Sequence, residues 1–397
     1  MPRRTGGFIG HRGLQAPDPP TAVTPTAGDT QVSVAFTAPS DVGDDAITAF
    51  VATTNDGIGA TGSSSPLTIT GLTNGTSYTV RAFAINDYGT SAPSVPSSSV
   101  SPAQPTLAMI FRGGGNTDVA KFNMDSQGNG SDFGDTPQAI NIPCALSNAT
   151  RLIQAGGTSD TVSQINYWTV SSGGTGQDFG DTAHPGYGKA AVNTNTRGVF
   201  MGGYQGGGGA GVLNTMGYIT IASTGNGTDF GDMTVGKYRG AGSINSTTRG
   251  IHAAGYLQGF SITNVIDYIT IASTGNATDF GDTISNMREG SGCSNSTRGI
   301  IGGGYKQFVG TANEISYVTI ASTGNATDFG DLSSASQNQG GAANSTNAFF
   351  YGGNFGSGNG IQYVTIASTG NSSTWGDVFS GQSNAQYGTS AGHGGLS

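Results

Sequence analysis

Charge is scarce: 10% of the residues are Asp, Glu, Lys or Arg, against about 25% in ordinary domains. Solvated disorder needs charge to stay open, so this composition argues against it. Basic residues are the scarcer sign, 15 against 24 acidic, and the net charge of −9 disfavours nucleic-acid backbones as partners. There are two cysteines, Cys144 and Cys293, too few for a disulfide framework or a cysteine-based zinc site. The four histidines, His11, His184, His252 and His393, share no metal-ligand spacing. No apolar run reaches the roughly 18 residues of a membrane-spanning helix. Met1–Gly10 carries arginines without an apolar stretch behind them, so no secretory signal is expected. No Walker-type loop occurs, which removes one common catalytic framework. Glycine is the abundant residue, 69 of 397, and its lack of three-residue periodicity excludes a collagen helix.

The pattern along the chain is period 2. Val32–Phe36, Ile47–Ala52, Leu67–Ile69 and Tyr78–Ile85 alternate between Gly, Asn and Asp turns, which predicts a small antiparallel sandwich. Gly71-Leu-Thr-Asn-Gly-Thr-Ser-Tyr78 before the longest alternating run is the pattern of a tyrosine corner. Residues 17–101 therefore resemble a fibronectin type III domain, with Phe36 where the family usually has a tryptophan. No Arg-Gly-Asp tripeptide is present, so integrin binding is not implied. A Gly-rich arm, 1–16, precedes this stretch and a linker, 102–106, follows it.

From Leu107 onward one unit is copied six times. Its mark is an aromatic before Gly-Asp: Phe133, Phe179, Phe230, Phe280, Phe329 and Trp375, spaced 46, 51, 50, 49 and 46 residues apart. That period is in the range of propeller blades. Each unit reads as four strands: a small polar one, one ending in a Gly pair, one carrying an aromatic (Tyr167, Tyr218, Tyr268, Tyr317, Tyr363), and the marked one. Phe122, 11 residues before its mark rather than 12, reads as the aromatic of a first unit one residue shorter. In the turns of type Ser-Thr-Gly-Asn, Asn beside Gly is expected to supply the positive φ of a tight hairpin. The marks are expected to fill the gaps between neighbouring units.

A Gly pair, a Tyr and a bulky aromatic recurring every 50 or so residues resembles the kelch repeat. The resemblance covers residues 107–397 and implies a six-bladed β-propeller. The chain would be all-β throughout. The first unit lacks its small strand, and Gln386–Gly395 matches that strand in its offset from the sixth mark. The C-terminus is thus expected to pair near Met109 and to close the ring, removing two sheet edges. The copper and sialidase chemistries known on such propellers have no counterpart here: their histidine, cysteine and arginine sets are not recognisable. No cofactor or metal is expected. Asp279 and Asp282 read as caps of turn amides, with calcium as the alternative. Arg151, Arg197, Arg249 and Arg298 read as a repeated rim contact, and Asn276-Ala-Thr278 as turn chemistry rather than a glycosylation site.

The turns on one face are near-copies, whereas the second-to-third and unit-to-unit loops differ in every unit. Varied loops on a copied scaffold point to recognition. They gather Tyr204, Tyr256, Phe260, Tyr305, Phe308 and Phe355, with Tyr187, His184 and Tyr238 from the unit-to-unit loops. Flat rings beside Gln and Asn suit a sugar or protein surface, and packing of the loops on themselves is the plainer reading. The whole resembles a bacteriophage virion protein without enzymatic activity. Arg3, Arg4, Phe8, Ile9 and Arg12 would dock the arm on other virion proteins, within a multi-copy assembly. The expected role is a tail-fibre or appendage component that recognises a host glycan or protein. A decoration protein without a receptor role and an enzyme on surface polysaccharide are the alternatives.

Overall fold

A computed structural model describes residues 14–103, 106–112, 115–157, 162–206, 211–353, 360–378 and the backbone of 386–391. The chain divides into two compact units, Met1–Pro105 and Thr106–Ser397. Among the described residues it is all-β apart from one short 3₁₀ turn, Gln258–Phe260, and no helix is long and apolar enough to cross a membrane. The arm residues Arg3, Arg4, Phe8, Ile9 and Arg12 lie outside the described residues, as does Phe355.

The N-terminal unit is a two-sheet sandwich. Strands Thr21–Gly28, Gln31–Thr37 and Leu67–Thr70 form one sheet; Gly59–Gly62, Ala49–Thr54, Val80–Asn86 and Gly89–Thr90 form the other. The alternating residues Val32, Val34, Ile69, Val80, Ala82 and Ala84 point inward and are fully buried, as a period of 2 requires when one sheet face is dry. Phe36 is buried against Phe50, ring centroids 5.0 Å apart. The predicted tyrosine corner is formed: the Thr73 N–H donates to the Tyr78 hydroxyl at 3.1 Å.

In the second unit repeats 2 to 6 are each an antiparallel four-stranded sheet in chain order, for example Gly242–Asn245, Arg249–Tyr256, Ile262–Thr270 and Thr278–Asp282 in repeat 4. In repeat 1 the C-terminal strand Gln386–Ala391 pairs with Leu107–Arg112, placing Gly388 opposite Ile110. The apolar core falls into six clusters, each joining two successive repeats. Phe179 packs with Phe200, Ile219 and Ile221 of repeat 3. Phe230 packs with Ile269 and Ile271 of repeat 4. Trp375 of repeat 6 packs with Ile110 and Phe122 of repeat 1. The marks therefore fill the gaps between neighbours, and a buried ring of this size is worth roughly 3–5 kcal/mol against Ala.

Two polar devices accompany the rings. In repeats 2 to 5 an arginine lies over its own third-strand tyrosine, Arg249 on Tyr268 at 4.8 Å for instance. The same guanidinium donates to a carbonyl of the next repeat, Arg249 to Ile320 at 2.8 Å, so the rim reading of Arg151, Arg197, Arg249 and Arg298 has its geometry. The second device corrects the turn reading. The turn glycines Gly225, Gly275, Gly324 and Gly370 hold the positive φ. The neighbouring asparagines instead reach across: the N–H groups of Asp181, Asp232, Asp282 and Asp331 donate to Asn226, Asn276, Asn325 and Asn371 at 3.0–3.1 Å. Asp377 of repeat 6 does the same to Asn129 of repeat 1. Repeat 2 has Gly174 at this place, and its backbone pairs with Gly134 and Asp135 instead. Asp178 and Asp279 cap the N–H groups of Gly180 and Gly281, both at 3.2 Å.

Repeat 1 brings a second correction. Lys121, not Phe122, stands opposite Ser131, as Tyr167 stands opposite Gln177. Its ammonium lies over the Phe133 ring at 5.6 Å. Phe122 turns to the other side and meets Phe349 and Tyr351 of repeat 6 edge-on. The spacing of 12 residues to the mark is thus kept in repeat 1, with a cation replacing the usual ring.

Candidate functional site

The site is built from two adjacent positions that recur in the unit-to-unit loops. The first holds Tyr187, Tyr238 and Arg288, in the loops that lead into repeats 3, 4 and 5. Each pairs in antiparallel fashion with the residue that leaves the next second strand: Tyr187 with Tyr204, Tyr238 with Tyr256, and Arg288 with Tyr305. Successive repeats thereby place their rings side by side. Tyr204 lies 5.6 Å from Tyr187 and 5.2 Å from Tyr238, and Tyr238 stacks on Tyr256 at 5.1 Å and 22°. The Arg288 guanidinium then bridges Tyr256 and Tyr305, 4.6 and 4.1 Å from their centroids, a cation–π sandwich. Burial pushes the Tyr238 hydroxyl up to about 12, so it stays a protonated donor. The row is continuous over five tyrosines and one arginine.

The second position holds Gly188, Arg239, Glu289 and Asn338. All four have left-handed backbones, φ 66°, 47°, 53° and 57°, a conformation costly for a side chain other than glycine. Each N–H donates to its counterpart one repeat back: Arg239 to Gly188, Glu289 to Arg239 and Asn338 to Glu289, at 2.8, 3.0 and 2.8 Å. The strained backbone is held by these bonds, and it presents the side chains along one lip. There Glu289 is buried between two guanidinium groups, Arg239 at 2.6 Å and Arg288 closer still. Arg239 also faces the Tyr187 ring at 5.9 Å.

Residues 17–100 match the fibronectin type III domain. Among solved structures, one described as "Structure of YjhT" is similar: the TM-score is 0.56 at 11% identity, over 68% of this chain and 94% of that one. This is a likeness of fold. No curated protein matches the chain.

Below the lip a cavity of about 150 Å³ runs between the first strands, lined by Gly188, Arg239, Glu289 and Asn338 at one end and by Asn193, Asn245 and Ser294 further in. His252 of repeat 4 is among its lining residues, and unusual chemistry adjoins that residue in the core. Lys237, fully buried, lies 2.8 Å from Asp267 and donates to the carbonyls of His252 and Val265. Thr234 donates to the same carboxylate. Burial lowers the Lys237 pKa against the pull of Asp267. Burial, and then the nearby Lys237, hold the His252 imidazole well below its ordinary value, so it is neutral at pH 7. Cys144 and Cys293 also line the cavity, and burial pushes both thiols up to about 12, far from the thiolate that reacts.

The sequence-predicted residues divide. Tyr187, Tyr204, Tyr238, Tyr256 and Tyr305 come together, with Phe260 edge-on to Tyr256 at 6.3 Å. Packing of the rings on one another is thus part of the arrangement. Phe308 stands out from it, 97% exposed at φ 66°. His184 is not in the row: its imidazole lies 3.2 Å from Asp229 of the next repeat. The reading of the loops missed Arg239, Arg288 and Glu289. Their signal was adjacency: they stand at the repeat positions of Tyr238 and its successor.

Proposed function

We propose that residues 107–397 form a six-bladed kelch-like propeller, and that the chain is a non-enzymatic virion protein of a bacteriophage. In this reading it is an appendage component that recognises a carbohydrate on the host surface. Three observations support the propeller: the succession of clusters from repeat to repeat, the asparagine bonds, and the packing of Trp375 back onto repeat 1. The fibronectin type III module beside a low-charge repeat array supports the virion setting, with the arm 1–16 as the docking segment.

One observation carries the binding role. Successive repeats donate their varied-loop residues to a single row of π faces, Tyr187 to Tyr305, with Arg288 and the Arg239–Glu289 pair beside it. Ring faces take the apolar faces of sugars, and the charged groups beside them take hydroxyls. Glu289 is engaged by two arginines, which suits a fixed hydrogen-bonding group better than a proton carrier. Purified protein should bind host cells and compete with infection. The Tyr256→Ala/Tyr305→Ala variant should lose at least about tenfold in cell binding, or about 1.4 kcal/mol, with its melting temperature close to the parent's. Undiminished cell binding by that variant would sink the assignment, and a parent protein that binds no cells would favour particle decoration.

A further inference from the structure

We infer that the loop tips of repeats 4 and 5, which end in Phe260, Phe308 and Val309, are a lipid-docking surface that enters the headgroup region of a neutral bilayer. This rests on the host-surface reading of the loop face and adds a lipid contact beside the sugar contact.

The second-to-third loops of these two repeats each carry a phenylalanine in water. Phe260 is 69% exposed, Phe308 97%, and the adjoining Val309 74%. The two tips are neighbours. Phe260 lies edge-on to Tyr256, the Arg288 guanidinium joins Tyr256 to Tyr305, and Tyr305 opens the hairpin that carries Phe308. Large apolar side chains gathered in this way mark an interaction surface. Both phenylalanines have left-handed backbones, φ 63° and 66°, where a side chain is disfavoured and glycine is not. A backbone cost of this kind points to function. Each tip is also tied from behind. The Gln258 side-chain oxygen accepts from the Val212 N–H of the repeat 3 loop at 2.9 Å. Gln307 meets Asn286 twice: its N–H donates to the Asn286 carbonyl at 3.1 Å, and its side-chain oxygen accepts from the Asn286 amide at 2.9 Å. The turns close on themselves, the Phe260 N–H donating to the Leu257 carbonyl and the Val309 N–H to that of Lys306, at 3.1 and 3.2 Å. Rings presented on a backbone held in this way spare the ordering cost of binding.

Charge and shape select the occupant. No charged residue stands in either tip, 258–261 or 307–311. The charges behind them are paired, Lys306 with Glu314, and Glu289 with Arg239 and Arg288. A folded protein partner calls for roughly 800 Å² of complementary surface on each side, whereas the apolar part here is three side chains on two protruding turns. A bilayer asks only for apolar groups free to leave water, with no unpaired charge beside them to strip of its hydration. Tyr256 and Tyr305 stand behind the tips, each an apolar ring with a polar hydroxyl, in the order of an aromatic belt at a membrane surface. An anionic leaflet attracts clusters of basic residues, and the tips have none, so the lipid face is a neutral one. Three side chains bind weakly in one copy and more strongly when copies are displayed together.

The test displays the full chain in many copies on beads and measures capture of fluorescent phosphatidylcholine vesicles that carry no sugar. The parent should capture them, and adding phosphatidylserine to the vesicles should not raise capture. Phe308→Gly relieves the left-handed strain, so its melting temperature should be no lower than the parent's. Its capture should fall at least about tenfold through loss of the apolar ring. Phe308→Leu should keep most of the capture, and Phe260→Ser/Phe308→Ser should abolish it. Parent beads that take up no vesicles overturn the proposal, as do Phe308→Gly or Phe260→Ser/Phe308→Ser beads that take up as many as the parent. Without vesicle capture, a loss of host-cell binding in these variants assigns the tips to a protein receptor, and self-association that Phe308→Gly removes assigns them to a second copy of the chain. The host-surface reading fails separately, when the parent captures vesicles but binds no host cells.

Discussion

Repeats 4 and 5 are built on one frame and filled differently. Both have the arginine on the tyrosine, the asparagine reaching to the preceding repeat, and the buried mark. Where repeat 5 has Met287, Ile301 and Ser316, repeat 4 has Lys237, His252 and Asp267 at the same positions, all buried. The difference teaches where the repeat tolerates change. The outer strand and its turn meet the next repeat through backbone groups and a ring, and that geometry is the same at each junction. At these buried positions of the second and third strands, and of the loop before the first, the filling sets chemistry rather than assembly.

Moving repeat 4 toward repeat 5 sharpens this contrast. Lys237→Met alone leaves Asp267 buried without its cation and should destabilise the second unit by about 3–5 kcal/mol. Adding Asp267→Ser, which completes the repeat 5 pair, should recover most of that loss or exceed the parent's stability. Denaturant melts of the two variants measure it; equal losses would mean that the frames differ by more than their filling.

A smaller effect separates the two repeats by pH. His252 has its pKa lowered in the fold and takes the ordinary value of about 6.5 when unfolded. Below that pH the unfolded chain binds the extra proton, so its contribution to stability is intact above about pH 6.5 and is lost as the pH falls further. The slope for one such group is at most about 1.4 kcal/mol per pH unit. His252→Ile, the residue of repeat 5, should remove that component from melts taken between pH 7 and 5. An unchanged slope would assign the acid sensitivity elsewhere.

The smallest expected effect tests what the repeats share. Asn276→Ala and Asn325→Ala each remove one hydrogen bond between neighbours, from Asp232 and Asp282 respectively. Each should cost about 1 kcal/mol, and the two costs should agree within error. A marked inequality would break the claim that the outer junctions are equivalent.

The strand pattern, the tyrosine corner, the six marks and the pairing of Gln386–Ala391 with Leu107–Arg112 were all legible from spacing. Period 2 and a fixed repeat length constrain the backbone directly. Five of the site's aromatics were legible because they recur at two repeat positions. Arg239, Arg288 and Glu289 were not, since an ion pair between residues about 50 apart, or a guanidinium lying between two rings, depends on how neighbouring repeats are set against each other. Phe122 shows the same limit in the core: one residue from the expected place, it faces repeat 6, and only the register of Lys121 with Ser131 reveals it.

Sequence alone therefore determined the all-β class, the division after about residue 105, and which loops carry the variation, because each is a property of local periodicity. Tertiary structure decided the rest: the lip of left-handed residues, the Arg288 guanidinium between Tyr256 and Tyr305, and the buried Lys237–Asp267 pair. Those arise where strands distant in sequence meet, and burial and hydrogen-bond satisfaction are set by the neighbours, which no local pattern specifies.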